Sequence, residues 1–391
     1  MSAAPERTLL SRRPSWMTDE LQNLAEVTRA FFAKEVEPHQ QRFARQGHPD
    51  RELYRRVGEI GLACMSIPES YGGGGGTFAH DAVLFTEQVK GGDSALHLGV
   101  HAAIVPHYIN AYGSEEQKGD WLPRLARGDL VGAIAMTEPG TGSDLQRIAT
   151  RAVRDGDDYV VTGSKTFISN GHLCDLVIIA VKTGPGQGAA GVSLLVAEIG
   201  DTTPGFTRGR IIDKIGQKGQ DTAELFFDGM RVPSANLLGG VEGRGFAQLM
   251  RQLVMERLIC AVAAVAAMER AVELTVAYTR ERQVFGKPLF DQQNTRFELA
   301  ECASVTAVGR TFLDDCIERH LRGEVDATTA AVAKYWLTEQ QCAVVDRCLQ
   351  LFGGYGYTTE YAIGRMYVDA RVQRIYAGAN ELMKELIARA L

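Results

Sequence analysis

The strongest constraint on the fold is that the hydrophobic period of the chain changes twice. From about residue 17 to 128, apolar residues recur every three or four positions. Leu21, Leu24, Val27, Phe31 and Phe32 open the series, and stretches around 53–60, 81–89 and 95–112 continue it. This spacing predicts amphipathic helices, separated at HPDRE, YGGGGGT and YGSEEQKGD. Between about 130 and 240 the pattern becomes short β-rich runs: YVVTGSKTFISN, DLVIIAVKT, GVSLLVAEI and TAELFFDGMRV. From 242 to 390 long helical patterns return, broken at FGKPLFD, RGEVD and FGGYGYTTE, with room for four or five helices of bundle length. The expected fold class is therefore multi-domain α and β. It comprises a helical N-terminal domain (1–128), a middle β-barrel or β-sandwich domain (129–241) and a C-terminal helical bundle (242–391).

The 391 residues suit two or three cores. A net charge of −6 argues against a nucleic-acid partner or an anionic membrane surface. The longest apolar run, 258–268, is too short to insert across a bilayer. The first residues hold three arginines but no apolar stretch, so no secretory signal is expected, and the chain reads as cytoplasmic. Seven cysteines form no CxxC pair, and several fall in apolar patterns. They read as reduced core residues.

One residue breaks its pattern. The stripe Leu249, Leu253, Glu256, Cys260, Ala263, Ala267 follows helical spacing, so Glu256 points a carboxylate at the interior. Such a group is either paired or there to move a proton. Other signals carry less. Gly186-x-Gly188-x-x-Gly191 imitates a dinucleotide fingerprint, but a strand follows it where the chemistry needs a helix N-terminus. Gly72 to Gly76 lacks the Lys-Ser/Thr of a phosphate loop and reads as a flexible turn. His97, His101 and His107 lack a metal-site spacing and read as surface or core histidines. The turn MTEPGTGSD at 136–144 instead offers many N–H and O–H donors to a polar ligand.

That turn is followed by GSKTFISNG (163–171), RQVFGK (282–287), QLFGGYG (350–356) and YVDARVQRIY (367–376). In this order and spacing, from about residue 17 to the C-terminus, the chain resembles the acyl-CoA dehydrogenases. KYWLTE, YVDARVQRIY and ELMKELIARAL look most like the long-chain branch. The resemblance implies a helical domain, a β-domain and a C-terminal four-helix bundle, with FAD bound in a homotetramer or homodimer. It places Ile134, Ala135, Met136, Thr137, Gly142 and Ser143 along the flavin, with Phe167, Ile168 and Ser169 packed on its ring. It places Arg282, Phe285, Gln293, Gln350, Leu351, Phe352, Gly353 and Gly354 on the pyrophosphate and adenosine across a subunit boundary. Ala379, Asn380 and Glu381 are expected to close over the cofactor. Ser143, Val254, Met255, Arg257, Ala377 and Gly378 are expected on the substrate side.

One departure identifies the base. Many members carry the catalytic glutamate in a Tyr-Glu-Gly loop, which here reads Tyr376-Ala377-Gly378. The isovaleryl and long-chain branches place it on the first long bundle helix, where Glu256-Arg257-Leu258 matches. The resemblance thus implies α,β-dehydrogenation of an acyl-CoA to a trans-2-enoyl-CoA, as in fatty acid β-oxidation. Glu256 takes the α-proton, hydride passes to flavin N5, and an electron-transfer flavoprotein takes the electrons. The backbone N–H of Ala377 and a ribityl hydroxyl are the implied donors to the thioester carbonyl. Glu381 is the rival base. An acyl-carrier-protein thioester, a flavin oxidase and a non-catalytic scaffold on the same fold are the alternatives. Val254 stands where the long-chain branch has proline, and acyl length is left open.

Overall fold

The computed structural model describes residues 13–184 and 188–391. The first twelve residues, and Gly186 of the glycine pattern, lie outside the described residues. Six helices come first: α1 (Asp19–Phe31), α2 (Gln40–Gln46), α3 (Glu52–Glu59), α4 (Phe78–Lys90), α5 (Val105–Tyr112) and α6 (Glu115–Ala126). Their starts follow local chemistry. The Thr18 and Ser114 hydroxyls accept from the Leu21 and Gln117 amides, supplying partners that a helix N-terminus lacks. A π-helical turn, Gly99–Ile104, leads into α5. Pro106 then stands at the start of α5, where a missing N–H costs least. This junction turns Tyr108 toward the C-terminal helices.

The middle of the chain forms β1 (Gly132–Ala135), β2 (Arg151–Asp155), β3 (Asp158–Ser169), β4 (Leu176–Lys182), β5 (Val192–Glu198), β6 (Phe206–Ile211) and β7 (Thr222–Pro233). They make one curled sheet in the order β1-β4-β2-β3-β7-β6, with β5 paired to β4. Alternate residues of β4 enter different cores. Val177, Ile179 and Val181 join a core inside the β-domain, whereas Leu176, Ile178 and Ala180 face the helices. Burial on both faces explains why this strand reads as one unbroken apolar run. The pairing of β3 with β7 is interrupted between Lys165 and Ile168, which bulges Phe167 out of the sheet. Gly188 and Gly191 lie in a short turn between the antiparallel strands β4 and β5, so no helix N-terminus follows the glycine pattern.

The C-terminal region holds three long helices, α7 (Gly245–Glu281), α8 (Gln293–Leu321) and α9 (Ala327–Phe352). A two-stranded turn, β8 (Gln283–Val284) with β9 (Lys287–Pro288), separates α7 from α8. Two shorter helices follow, α10 (Ala362–Ala370) and α11 (Asn380–Ala388). Five helices form, as the pattern allowed, but only three reach bundle length. Gly353, with φ of 59°, ends α9, and the next turns are tight 3-10 turns. Helix α7 packs against α4, α8 and α9 and also touches α5 and α10. Residues Met255 to Val262 are consequently buried all round, not along one stripe. N- and C-terminal helices share a single hydrophobic core.

One expectation needs correction. The Gly72 to Gly76 turn is not a flexible connection. The amides of Gly73, Gly74, Gly75 and Gly76 donate to the carbonyls of Pro68, Cys64, Ile67 and Met65. A Cβ on Gly73 would lie 2.2 Å from the Ile67 carbonyl oxygen, so close packing requires glycine there. His97 and His101, read as surface or core residues, each have a protein partner. His97 Nδ1 lies 2.7 Å from the Gln220 amide, while buried His101 Nδ1 accepts from the Gly132 N–H. Among the described residues no group of side chains has metal-site geometry, and no helix is long and apolar enough to cross a membrane. Six cysteines are buried, Cys342 is partly exposed, and all are free.

Candidate active site

Glu256 sits inside α7 and is 6% exposed. Burial lifts its carboxyl from the ordinary 4.5 to about 7, opposed by a hydrogen bond from Tyr108 and the charge of Arg257. The Tyr108 hydroxyl donates to Glu256 Oε1 at 2.9 Å. Its neighbour Arg257 is also buried, and its Nε has no partner among the described residues.

The loop at Tyr376–Gly378 reaches the same place from the far end of the chain. A Cβ on Gly378 would lie 3.9 Å from the Arg257 guanidinium, and Tyr376 lies near Cys260, one turn after Glu256. The loop is tethered by Lys334, which is fully buried in α9. Its Nζ donates at 2.7 Å to the Gly378 carbonyl and at 2.7 Å to Asn380 Oδ1. Asn380 Nδ2 in turn donates to Thr338 Oγ1 and Glu339, and Arg374 closes the set on Glu339. Burial brings the Lys334 amine down to about 8, so it is largely cationic at neutral pH. Ala377 has φ of 51°, a left-handed conformation that costs an alanine about 1 kcal/mol. The tether holds it there. Glu381, the rival base, lies exposed on the first turn of α11.

A second patch forms on the β-domain. The Thr166 amide donates to the Thr137 carbonyl, joining the MTEPGTGSD strand end to the β3 bulge. Beneath them Lys165, fully buried, donates to Met136 O at 3.0 Å and to Glu138 at 2.8 Å. Burial would raise Glu138, but amides from Ala149 and Thr150 together with Lys165 bring it below its ordinary value. Lys165 falls to about 8 through burial, so the pair is ionised at neutral pH. This pair makes a rigid shelf: Ile134 and Ala135 on β1, then Met136, Thr137, Phe167, Ile168 and Ser169. Phe167 is 62% exposed with φ of 58°, while Ile168 is buried. Gly142 and Ser143 are exposed on the adjoining turn, which the reciprocal Glu138–Thr141 backbone bonds close. Exposed Phe167 therefore stands beside the hydroxyl-bearing turn. Gln220 links the shelf to the helices through Ser169 Oγ and His97, while the Gln217 amide donates to Asp369 of α10.

The remaining predicted residues gather elsewhere. The Arg282 guanidinium lies 5.7 Å from the Tyr355 ring centroid, beside the turn containing Gly353 and Gly354. Phe352 stacks on Tyr278 at 4.2 Å. Gln293 and Gln350 are exposed, Leu351 is half-buried, and Phe285 is 97% exposed with φ of 50°. This cluster is roughly 39 Å along α7 from Glu256, at about 1.5 Å per residue. Among the described residues six non-glycines have positive φ, and Phe167, Phe285 and Ala377 are three of them. Strain of this kind concentrates at functional sites.

Sequence reading did not single out Lys334, Lys165, Glu138 or Tyr108. Lys334 carried a signal, a charge among the apolar positions Ala330, Ala331 and Leu337.

The helical–sheet–helical fold thus carries a shelf on its β-domain and a buried carboxylate on α7 near a strained loop. Family models for the N-terminal, middle and C-terminal domains of acyl-CoA dehydrogenase match residues 18–129, 133–230 and 243–391. The chain belongs to the acyl-CoA dehydrogenase family, FAD-dependent oxidoreductases acting on CH–CH groups. It is 45% identical to the mitochondrial long-chain specific acyl-CoA dehydrogenase of Sus scrofa, over 94% of this chain and 85% of that protein. An acyl-CoA dehydrogenase structure from Geobacillus kaustophilus superposes with a TM-score of 0.94 at 46% identity, covering 97% of this chain and 99% of that one. A glutaryl-CoA dehydrogenase from Mycobacterium smegmatis in complex with FADH2 gives a TM-score of 0.89 at 29% identity, covering 95% and 94%.

Proposed function

We propose that Glu256 is the base of an acyl-CoA α,β-dehydrogenation yielding a trans-2-enoyl-CoA, a step of the fatty acid β-oxidation type. One observation carries this: a buried carboxylate, lifted to about 7, whose neighbour Arg257 meets the loop where the family's usual glutamate is Ala377. A carboxylate of that basicity is mostly ionised at pH 8 and takes a proton better than an ordinary glutamate does. Glu256 removes the α-proton while the β-hydrogen leaves as hydride; bound FAD supplies the acceptor for that hydride. The Ala377 N–H donates to the thioester carbonyl and stabilises the charge that develops there. Backbone donation needs no side chain, so alanine suffices. Lys334 holds that N–H in place through Gly378. Val254, Met255, Arg257 and Gly378 border the acyl thioester, and the unpaired Arg257 Nε is a donor available to it. Ser143, on the exposed turn, contacts the pantetheine arm.

The shelf from Ile134 to Ser143 and Phe167 to Ser169 carries the ring of FAD, with Ala379, Asn380 and Glu381 closing over it. Arg282, Phe285, Gln293 and Gln350–Gly354 lie near the far end of α7, roughly 39 Å from Glu256, which favours a place on the dinucleotide of another copy. A second copy therefore contributes them, which makes the active form a homodimer or homotetramer. Electron-transfer flavoprotein is the proposed electron acceptor. The test is anaerobic addition of a straight-chain acyl-CoA series to the yellow holoenzyme. Wild type bleaches, whereas Glu256→Gln stays yellow while still binding acyl-CoA. Undiminished bleaching by Glu256→Gln would transfer the role to Glu381.

A further inference from the structure

Tyr108 lies on α5, far from every sequence motif of the family, and is 1% exposed. Its hydroxyl donates to one oxygen of Glu256 and leaves the other free. The groups facing this carboxylate come from several elements. Arg257 and Cys260 share α7, and Tyr112 lies beside Tyr108 on α5, its ring 6.4 Å away. Lys334 on α9 and Tyr376 on the loop lie beyond Cys260. None of these donates a hydrogen bond to Glu256; Tyr112 donates instead to the Gln248 carbonyl at 3.4 Å. Arg257 acts on Glu256 only through its charge.

We propose that Tyr108 is a positioning residue for proton abstraction: its single hydrogen bond to Oε1 orients the Glu256 carboxylate and presents Oε2 to the substrate. The proposal rests on Glu256 being the base. A donor to the ionised carboxylate favours that form and offsets part of the burial penalty. The hydroxyl thus keeps the base available at neutral pH. After abstraction the proton sits on Oε2, and the Tyr108 bond to Oε1 persists to a neutral acid. Tyr108 takes no proton itself, and its own phenol is pushed far above its ordinary value by burial and by Glu256.

The experiment compares wild type with Tyr108→Phe and with 3-fluorotyrosine placed at position 108. The first readout is the acidic limb of kcat/KM against pH, which reports the free enzyme. The second is an infrared titration of the Glu256 carboxyl band, assigned by its loss in Glu256→Gln. Losing one hydrogen bond to a charged group moves both midpoints up by about one pH unit, a roughly tenfold loss of kcat/KM at pH 6. The fluorinated phenol, a stronger donor of nearly the same shape, moves them down and does not depend on how well the phenylalanine variant folds. Tyr112→Phe, which alters the neighbouring ring, leaves both midpoints in place. A purely structural Tyr108 would change thermal stability and leave the midpoints unmoved, which would overturn the proposal. Should Glu256→Gln still bleach, the assignment of the base fails instead, and the limb belongs to another group.

Discussion

Replacing Glu256 with glutamine is expected to inactivate the enzyme and to stabilise it, most fully in alkaline solution. The folded carboxyl titrates at about 7 against an ordinary value of 4.5. At about 1.4 kcal/mol per pH unit, ionising it in the folded chain costs about 3 kcal/mol more than in the unfolded one. The pH window follows from the direction of the shift. Below 4.5 the carboxyl is neutral in both states, and the two proteins differ little. Between 4.5 and 7 the unfolded wild type ionises and the folded one does not, so its stability falls as pH rises. Above 7 the full difference is reached and stays constant. Glutamine has the same shape, never ionises, and its carbonyl can still accept from Tyr108. Guanidinium unfolding of both holoenzymes, matched in FAD and protein concentration, checks this at pH 5 and pH 8.5. The variant should gain about 3 kcal/mol at the higher pH and about 1 kcal/mol at the lower. An equal offset at both pH values, or a destabilised variant at pH 8.5, would refute the argument that burial sets the basicity of Glu256. The expected pattern is one in which activity is maintained at a cost in stability.

Two buried lysines give contrasting predictions. Lys334→Met removes the tether on Gly378 and Asn380, so kcat/KM should fall by more than about tenfold. Its change in stability stays within about 1–3 kcal/mol, because a costly buried charge leaves with its hydrogen bonds. Stopped-flow flavin reduction beside thermal melting separates the two effects, and wild-type kinetics would show that the loop needs no tether. Lys165→Met leaves Glu138 with only the Ala149 and Thr150 amides beneath the proposed flavin shelf, which should cost about 3 kcal/mol. The 450 nm absorbance retained after gel filtration should drop with it, and full FAD retention at wild-type stability would contradict the assigned role.

Glu256 was legible because a charge at an apolar helical position is costly enough to demand a reason. Lys334 satisfies the same rule on α9, and reading that stripe as strictly would have found it. Tyr108 had no such signal. A tyrosine on the core face of a helix is ordinary, and its partner lies 148 residues away. The GSKTFISNG segment stood out as a motif on a β-rich run, yet the pairing of Lys165 with Glu138 depends on that run meeting the MTEPGTGSD turn.

Local periodicity determined the order of helices and strands, since hydrophobic spacing depends only on neighbours along the chain. The same chemistry located the out-of-place carboxylate and the loop that lacks one. Only the tertiary structure decided that these belong together. It brought α7 against α5 and α9, buried the carboxyl deeply enough to lift it to about 7, and tied the Ala377 loop to a buried ammonium. It also set the Arg282 cluster at the far end of α7, roughly 39 Å from Glu256 at about 1.5 Å per residue. Contacts between residues more than a hundred positions apart leave no periodic trace, so packing alone assembles the site.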